Sequence, residues 1–287
     1  MREARLPLHG ATLVLAAGAH DALSAKLAEE AGFDAIWASG FGISAVQAVP
    51  DANILTLTET LEAVRRIVDA VDIPVVADCD NGYGNAINVM RTTAEFERAG
   101  AAGLCIEDND FPKRCSFYAG VRRDLVAVEE HARKVQAASA ARRSPDFMVI
   151  ARTEALIAGL GQEEALKRAR AYEAAGADLI LVHSKQKTPD EVVAFVKAWD
   201  GKAPIALVPT AYPQMTVAKV KELQKIGLLI WGNHAIRASV GAMRKIFAQI
   251  RKDGGIHGVE SAIATVDDVF NLQGMGKVKS DEKRFLR

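Results

Sequence analysis

Residues 74–80 read Pro74-Val75-Val76-Ala77-Asp78-Cys79-Asp80, and residues 103–107 read Gly103-Leu104-Cys105-Ile106-Glu107. Each run is about one strand long, is mostly aliphatic and is followed by glycine or polar residues, which is typical of a buried parallel strand. Three acids therefore fall at the carboxyl ends of two successive strands. A single acid there is often a helix cap or a solvated loop residue, but three together favour a cation site.

A sequence pattern of helix end, glycine and strand recurs along the chain. Its four glycines are Gly32, Gly100, Gly176 and Gly227. Glycine is expected just past a helix C-terminus, where a positive φ ends the helix without a steric penalty. Strand-like runs lie near 12–18, 35–39, 74–79, 103–107, 148–153, 179–183, 204–209 and 228–232.

Eight such runs with helical patterns between them predict an α/β fold, a (β/α)8 TIM-type barrel. An open doubly wound sheet is the alternative, but Gly82-Tyr83-Gly84-Asn85 matches only part of a dinucleotide-binding loop. Helical patterns near 236–253 and 265–273, then a charged tail at 277–287, predict a C-terminal helical extension. We expect one domain over 1–287, with 236–287 packing on a partner subunit; a frayed end is the alternative for the tail.

Composition favours an enzyme domain with a small-molecule substrate. Lys plus Arg and Asp plus Glu both total 36, so no net charge directs the protein to nucleic acid or to a membrane. No apolar stretch approaches the roughly 20 residues of a membrane helix, and the apolar run 11–17 is interpreted as the first strand rather than a targeting segment. Three cysteines, an odd number, predict a reducing, cytoplasmic setting.

Residues at the other predicted strand ends should gather at the same rim of the barrel. They are Trp37, Ser39 and Gly40 after strand two, Asp51 in the next loop, Arg152 and Glu154 after strand five, His183 and Ser184 after strand six, Thr210 after strand seven, and Asn233 and His234 after strand eight. Oxygen ligands with open positions suit Mg²⁺, which predicts a Mg²⁺ site at Asp78, Asp80 and Glu107. A cation, an arginine and backbone donors around one cleft predict a substrate with a carboxylate and a second anionic group.

The chain resembles the isocitrate lyase and phosphoenolpyruvate mutase superfamily over nearly its whole length. The superfamily's metal motif is matched by 78–85 followed by Glu107-Asp108. Further matches are Phe111-Pro112-Lys113, 151–159, 183–185, Pro209-Thr210 and 233–238. Segments 49–55, 186–191 and 209–214 are most similar to the branch that hydrolyses phosphonopyruvate.

The resemblance implies a role for each rim residue. Asp78 would hold Mg²⁺ (with Mn²⁺ or Co²⁺ as substitutes), and Asp80 and Glu107 would act largely through bound waters. Ser39 and Gly40 would hold the carboxylate of a small anionic 2-oxo acid, and Arg152 and His183 would contact its phosphoryl group. Lys113 and Ser116 would belong to a gating loop after strand four, and Asp51 would order Mg²⁺-bound water or the nucleophile. The resemblance also implies a homotetramer with exchanged terminal helices.

Three reactions are compatible with this resemblance. Transfer of the phosphoryl group to water would give pyruvate and phosphate, whereas transfer to the enolate oxygen would give phosphoenolpyruvate. Cys115 replaces the Asn of the mutases and the Thr of the hydrolase, and Asn109 replaces a Lys. A thiol cannot donate as an amide does, which favours hydrolysis.

Carbon–carbon cleavage is the third reaction. Lys113-Arg114-Cys115 resembles the Lys-Arg-Cys-Gly-His loop of the isocitrate and methylisocitrate lyases, although Ser116-Phe117 replaces Gly-His. Two neighbouring cations are expected to lower the pKa of the Cys115 thiol, as a proton-donating role in a lyase requires. The same residues are also compatible with a packing role for Cys115 and with a barrel that only binds a metabolite.

Overall fold

The computed structural model describes residue 6, residues 13–118, residue 120 and residues 122–286. Thr12, the first residue of the first predicted strand, lies outside them. The chain divides into two compact units, Met1–Ala235 and Ile236–Arg287. The second unit begins where the C-terminal extension is predicted to begin, and its packing on a partner subunit stays a prediction.

A closed barrel of parallel strands forms the first unit, with the strands in sequence order and the first paired to the last. This arrangement confirms the predicted (β/α)8 barrel and excludes the open sheet. The strands that the structure describes are β1 (Val14–Ala19), β2 (Ala35–Ala38), β3 (Val75–Asp78), β4 (Gly103–Glu107), β5 (Met148–Thr153), β6 (Leu179–Val182), β7 (Ile205–Leu207) and β8 (Ile226–Trp231). β7 is shorter than predicted, and β8 begins two residues earlier.

Helices follow the strands around the barrel. Those of the first unit are α1 (Ala22–Glu30), α2 (Gly40–Val46), α3 (Leu57–Ala70), α4 (Ala86–Arg98), α5 (Val128–Ala141), α6 (Gly161–Ala174), α7 (Asp190–Ala198) and α8 (Val217–Leu223). α9 (His234–Asp253) begins with the last two residues of the first unit and continues in the second unit. The second unit also contains a short 3-10 helix (Glu260–Ala262), α10 (Val266–Leu272) and α11 (Met275–Phe285). The charged tail is therefore helical up to Phe285.

Side chains alternate along each strand between two apolar layers. Val76, Cys105 and Ile150 belong to the cluster inside the barrel, whereas Ala77, Ile106 and Ala151 belong to the cluster between strands and helices. Because alternate residues of a strand point to opposite faces, the next inward positions are Asp78, Glu107 and Arg152. The carboxyl ends of β3, β4 and β5 thus direct these three side chains into the barrel mouth.

Three of the four glycines in the repeated sequence pattern have the predicted positive φ. Gly32, Gly100 and Gly176 have φ values of 81°, 87° and 100°. The prediction for Gly227 is wrong, because this residue lies inside β8 and Gln224 takes the left-handed position at the end of α8, with φ of 56°. The order of helix end, glycine and strand is therefore not specific, because here Gln224 ends the helix and the glycine belongs to the strand.

None of the helices that the structure describes is long and apolar enough to cross a membrane. Cys79, Cys105 and Cys115 are free thiols, and all three are buried.

Barrel closure between β1 and β8 leaves no room for a side chain at Gly18. A Cβ atom there would lie 2.1 Å from the carbonyl oxygen of Gly232, whereas one at Gly232 would meet Val208 Cγ1 at 3.5 Å, an ordinary contact. We therefore expect Gly18→Ala to lower the free energy of unfolding by about 1–3 kcal/mol or more, measured by urea denaturation. Gly232→Ala is the matched control with a small effect, and equal stability of both variants would contradict the close approach.

Candidate active site

A cleft of about 550 Å³ opens at the carboxyl ends of the strands. Two apolar rings, Trp37 and Phe41, line it together with residues from the ends of β2 to β8 and from two loops. Its members with a predicted role are Trp37, Ser39, Asp51, Asp78, Glu107, Lys113, Cys115, Ser116, Arg152 and His183. Gly40 and Asp80, which also have a predicted role, lie beside it, since a Cβ atom on Gly40 would be 3.2 Å from Asp78 Oδ2 and from Asp80 Oδ1. Glu154, Ser184 and His234, predicted at the same rim, are not among its lining residues.

Asp78 and Asp80 are buried acids in an electrostatically unfavourable position. They are 7% and 8% exposed. Burial raises the pKa of Asp78 and raises that of Asp80 to about 7, while Lys113 opposes both shifts. Their carboxylate forms would be stabilised by a further positive charge at the cleft.

Lys113 brings one positive charge to these acids from the loop between β4 and α5, residues 108–127, which we call the gating loop. Its Nζ lies 2.7 Å from Asp51 Oδ1 and 2.5 Å from Asp80 Oδ1. Burial disfavours the ammonium, but Asp80 and Asp51 raise the pKa of Lys113 above its ordinary value. Lys113 therefore stays charged and joins three loops at the rim.

The carboxylates suit a hydrated hard cation better than a fully chelated one. Among the described residues, no three His, Cys, Asp or Glu side chains converge tightly enough to hold an ion by themselves. Mg²⁺ commonly keeps several waters and binds through one or two carboxylates. An all-oxygen set of buried acids, with Gly40 leaving the space beside Asp78 and Asp80 free of a side chain, fits that mode, and the ligand set stays a prediction.

Arg152 is held in place by two acids and one hydroxyl. Its Nε lies 3.2 Å from Glu107 Oε2, and its Nη2 lies 2.7 Å from Glu154 Oε1. Ser116 Oγ accepts a hydrogen bond from Arg152 Nη2 at 2.8 Å and donates one to Glu154 Oε2 at 2.7 Å. Charge-assisted bonds of this kind fix the guanidinium plane, so Arg152 faces the cleft in a set orientation and the gating loop is attached to it through Ser116.

Asp108 secures the base of the gating loop. This fully buried carboxylate accepts hydrogen bonds from Thr153 Oγ1 (2.9 Å), the backbone N–H of Glu154 (2.8 Å), Arg168 Nη1 (3.0 Å) and Tyr172 OH (2.8 Å). The donors come from β5, the residue after it, and α6. Glu107 and Glu154, the neighbours of these groups in sequence, are therefore positioned by a satisfied polar network.

His183 lies under an aromatic ring of the gating loop. The Phe117 ring meets it edge to face, with centroids 5.4 Å apart. Burial lowers the pKa of His183 to about 3, with Arg152 contributing in the same direction, so the imidazole is neutral at physiological pH. Its Nδ1 is buried and has no hydrogen-bond partner among the residues that the structure describes.

The expected low pKa of Cys115 is wrong. Burial raises the pKa of this thiol to about 11, Asp51 adds to the shift, and Lys113 and Arg152 offset only part of it. Lys113 is committed to two carboxylates, and Arg114 Nη1 donates to the carbonyl oxygen of Pro112 at 2.7 Å. Cationic neighbours in sequence therefore do not activate the thiol, which removes an argument for the lyase reaction.

Several cleft residues were not among the predicted site residues. Glu154, placed at the rim from the sequence without a role, lies behind the cleft, and its contact with Ser116 follows from the loop path, which the sequence does not reveal. Phe41 and Phe117 look like ordinary apolar residues in sequence. Thr210 and Asn233 were placed at the rim without a role; both line the cleft, and Thr210 Oγ1 and Asn233 Oδ1 have no hydrogen-bond partner within the described part of the chain.

Ser39 and Gly40 stand at the start of α2, beside Asp78 and Asp80. Ser39 is the N-cap residue of α2, and its hydroxyl accepts a hydrogen bond from the backbone N–H of Gly42 at 3.2 Å. Because that hydroxyl is in use as a cap, backbone N–H groups here are the donors that suit an anionic ligand group. The cleft therefore brings together the N-terminus of α2, the acids beside Gly40 and the fixed guanidinium of Arg152.

Comparison with known proteins places the chain in a family. The phosphoenolpyruvate phosphomutase family matches residues 4–251, and the chain belongs to this family. It is 54% identical over 283 residues to the phosphonopyruvate hydrolase of Variovorax sp. (strain Pal2), covering 99% of this chain and 98% of that protein.

Two solved structures extend the comparison. A crystal structure of phosphonopyruvate hydrolase in complex with oxalate and Mg²⁺ is 53% identical, with a TM-score of 0.91 and coverage of 96% of this chain and 95% of the other. A phosphoenolpyruvate phosphomutase from Streptomyces platensis subsp. rosaceus is 46% identical, with a TM-score of 0.94 and coverage of 97% and 100%. Backbone similarity alone therefore does not separate hydrolase from mutase.

The raised pKa of Cys115 predicts a thiol that reacts slowly near neutral pH. The rate of iodoacetamide alkylation at Cys115 should rise about tenfold per pH unit from pH 7 to about 9.5 without a plateau, because only the thiolate reacts. Peptide mass spectrometry after timed labelling in EDTA gives the rate, and Cys115→Ser identifies the peptide. A plateau near pH 7 would show an activated thiol and revive the lyase alternative.

Proposed function

We propose that the protein is a Mg²⁺-dependent phosphonopyruvate hydrolase that converts 3-phosphonopyruvate and water to pyruvate and phosphate. The observation that carries the proposal is a single cleft that holds buried acids beside the α2 N-terminus together with the fixed Arg152 and the neutral His183. Identity of 54% to a phosphonopyruvate hydrolase over almost the whole chain supports the same substrate.

In this proposal the substrate lies along the cleft. Backbone N–H groups around Ser39 and Gly40 bind its carboxylate, and the Trp37 ring packs against it. Asp78 would hold Mg²⁺, with Asp80 and Glu107 acting through waters and Mn²⁺ or Co²⁺ as substitutes. When bound, the cation would act as a Lewis acid toward the keto and carboxylate oxygens and so stabilise a developing enolate.

The phosphoryl end is served by residues that are already oriented. The carbon–phosphorus bond breaks with its electron pair moving to the enolate, and a water oxygen bonds to phosphorus; the enolate then takes a proton to give pyruvate. Such loose transfer needs positioning and charge stabilisation more than covalent help. Arg152 and Lys113 supply positive charge, His183 contacts the phosphoryl group as a neutral imidazole, and Asp51 orients the attacking water.

The gating loop favours water as the acceptor over the enolate oxygen. Cys115 lines the cleft and has a raised pKa, so it offers no amide to hold the phosphoryl group and is a weaker proton donor than the activated thiol that a lyase requires. Phosphoenolpyruvate mutase activity is the second candidate, supported by the 46% identical mutase structure. Ser116, whose hydrogen is donated to Glu154, would act by holding Arg152 and the loop rather than by donating to the phosphoryl group.

Assembly and location are further parts of the proposal. The second unit exposes many apolar side chains on its own helices, among them Phe247, Val266, Phe270, Phe285 and Leu286. Exposed apolar patches of this kind mark interaction surfaces. We propose that they pack on partner subunits of a homotetramer, and that the enzyme works in the reducing cytoplasm, where its three free cysteines stay reduced.

Phosphorus NMR of the purified protein with phosphonopyruvate and Mg²⁺ tests the reaction. We expect the phosphonate signal to be replaced by inorganic phosphate in amounts equal to the pyruvate formed, measured by coupled assay. In the wild-type protein, a phosphoenolpyruvate signal would favour the mutase, and the absence of turnover would refute both the hydrolase and the mutase proposals.

Arg152→Ala should lower kcat far more than it raises KM, because the charge of Arg152 matters most as the phosphoryl group separates.

Asp78→Ala should abolish Mg²⁺ binding, measured by isothermal titration calorimetry, without harming the fold. Burial raises the folded-state pKa of Asp78, and such an acid costs stability above its unfolded pKa. At pH 7 the variant should therefore be at least as stable in urea as the metal-free wild type. Asp69→Ala, at an exposed position of α3, is the control, and unchanged Mg²⁺ affinity in Asp78→Ala would refute the assignment.

A further inference from the structure

Asn53 connects the gating loop at Lys113 to the loop after β3 at Asp80. It lies half-buried in the segment between α2 and α3 and has a φ of 55°, a left-handed backbone conformation that Asn tolerates better than most residues. Its Oδ1 accepts a hydrogen bond of 2.6 Å from the backbone N–H of Lys113. Its Nδ2 donates to Asp80 Oδ2 at 3.1 Å and, more weakly, to Asn81 Oδ1 at 3.4 Å.

The two halves of this amide meet different needs. Its carbonyl oxygen accepts the hydrogen bond of the Lys113 backbone N–H, and its NH₂ group donates to Oδ2 of Asp80. The other carboxylate oxygen of Asp80, Oδ1, lies 2.5 Å from the Lys113 ammonium. Asp80 is thus held from both sides, by the Asn53 amide and by the Lys113 side chain. The backbone N–H of Lys113 is hydrogen-bonded to the same Asn53 side chain. Asn53 therefore contributes both to the position of the gating loop and to the orientation of the Asp80 carboxylate.

We propose that Asn53 is a positioning residue that couples the placement of the gating loop to the orientation of the Asp80 carboxylate. The metal part of this inference rests on the proposed function, in which Asp80 orders the waters of the bound cation. A residue behind a metal-holding group typically changes metal affinity about 10- to 100-fold when it is removed. Removing a single backbone hydrogen bond changes the local opening equilibrium by about two- to tenfold.

The test uses Asn53→Gly, which removes the side chain and adopts the positive φ without strain. Hydrogen exchange with mass spectrometry should show faster exchange at the Lys113 amide by about two- to tenfold, with other barrel peptides unchanged. Titration with Mn²⁺ alone, followed by electron paramagnetic resonance of the free ion, should show a dissociation constant raised about tenfold or more. Neither measurement uses phosphonopyruvate or turnover.

Ala48→Gly is the matched control, since Ala48 also has a positive φ, 56°, in the same segment and its side chain donates no hydrogen bond. It should leave both readouts at wild-type values. Asn53→Asp keeps an acceptor for the Lys113 amide, so it should restore slow exchange there.

Three outcomes would overturn the inference. Faster exchange with unchanged Mn²⁺ affinity would make Asn53 a loop anchor only, and equal effects in Ala48→Gly would trace the change to backbone freedom. Wild-type values for both readouts in Asn53→Gly would remove any role. If the wild-type protein itself bound no Mn²⁺, the metal assignment would fail together with the coupling, whereas the first three results leave that assignment standing.

Discussion

The alternation of side chains along closed parallel strands is the constraint on which the site depends. In a barrel each strand sends every second residue inward, and the register of the strands fixes which inward residues share a level. Asp78 is opposite Cys105, and Glu107 is opposite Arg152. A shift of one residue in β3, β4 or β5 would turn an acid or the arginine outward into the helix layer, where the cost of burying an isolated charge is large. The site and the barrel therefore require the same register.

Charge balance at the rim is achieved by pairing cations with more than one acid. Arg152 lies between Glu107 and Glu154, and Lys113 lies between Asp51 and Asp80. Five acids, with Asp78 included, thus face two fixed cations, which leaves a deficit of positive charge among buried side chains. Unpaired buried charge is unfavourable in the absence of a ligand, so the deficit favours a bound cation.

The sequence predicted the barrel and nearly all of its rim, because each strand end carries its functional residue at a fixed offset from an apolar run. The predictions failed where the outcome depends on packing between distant segments. Gly227 followed the same pattern as the helix-capping glycines, yet it lies in β8. Nearby Lys113 and Arg114 indicated an activated Cys115, but their charges are directed to other partners and burial dominates the thiol. The roles of Glu154 and Asn53 depend on the path of the gating loop, which local sequence does not encode.

The contacts that hold the gating loop over the cleft include few exposed charges. Phe117 packs on a neutral imidazole, Ser116 bonds to a fully buried glutamate, Arg123 Nη2 donates to the carbonyl oxygens of Cys115 and Tyr118, and the Lys113 ion pairs are themselves buried. Mobile ions screen charges in solvent much more than buried ones. The loop should accordingly keep its place across a wide range of ionic strength, so that salt would act on the approach of the proposed anionic substrate rather than on the position of the loop.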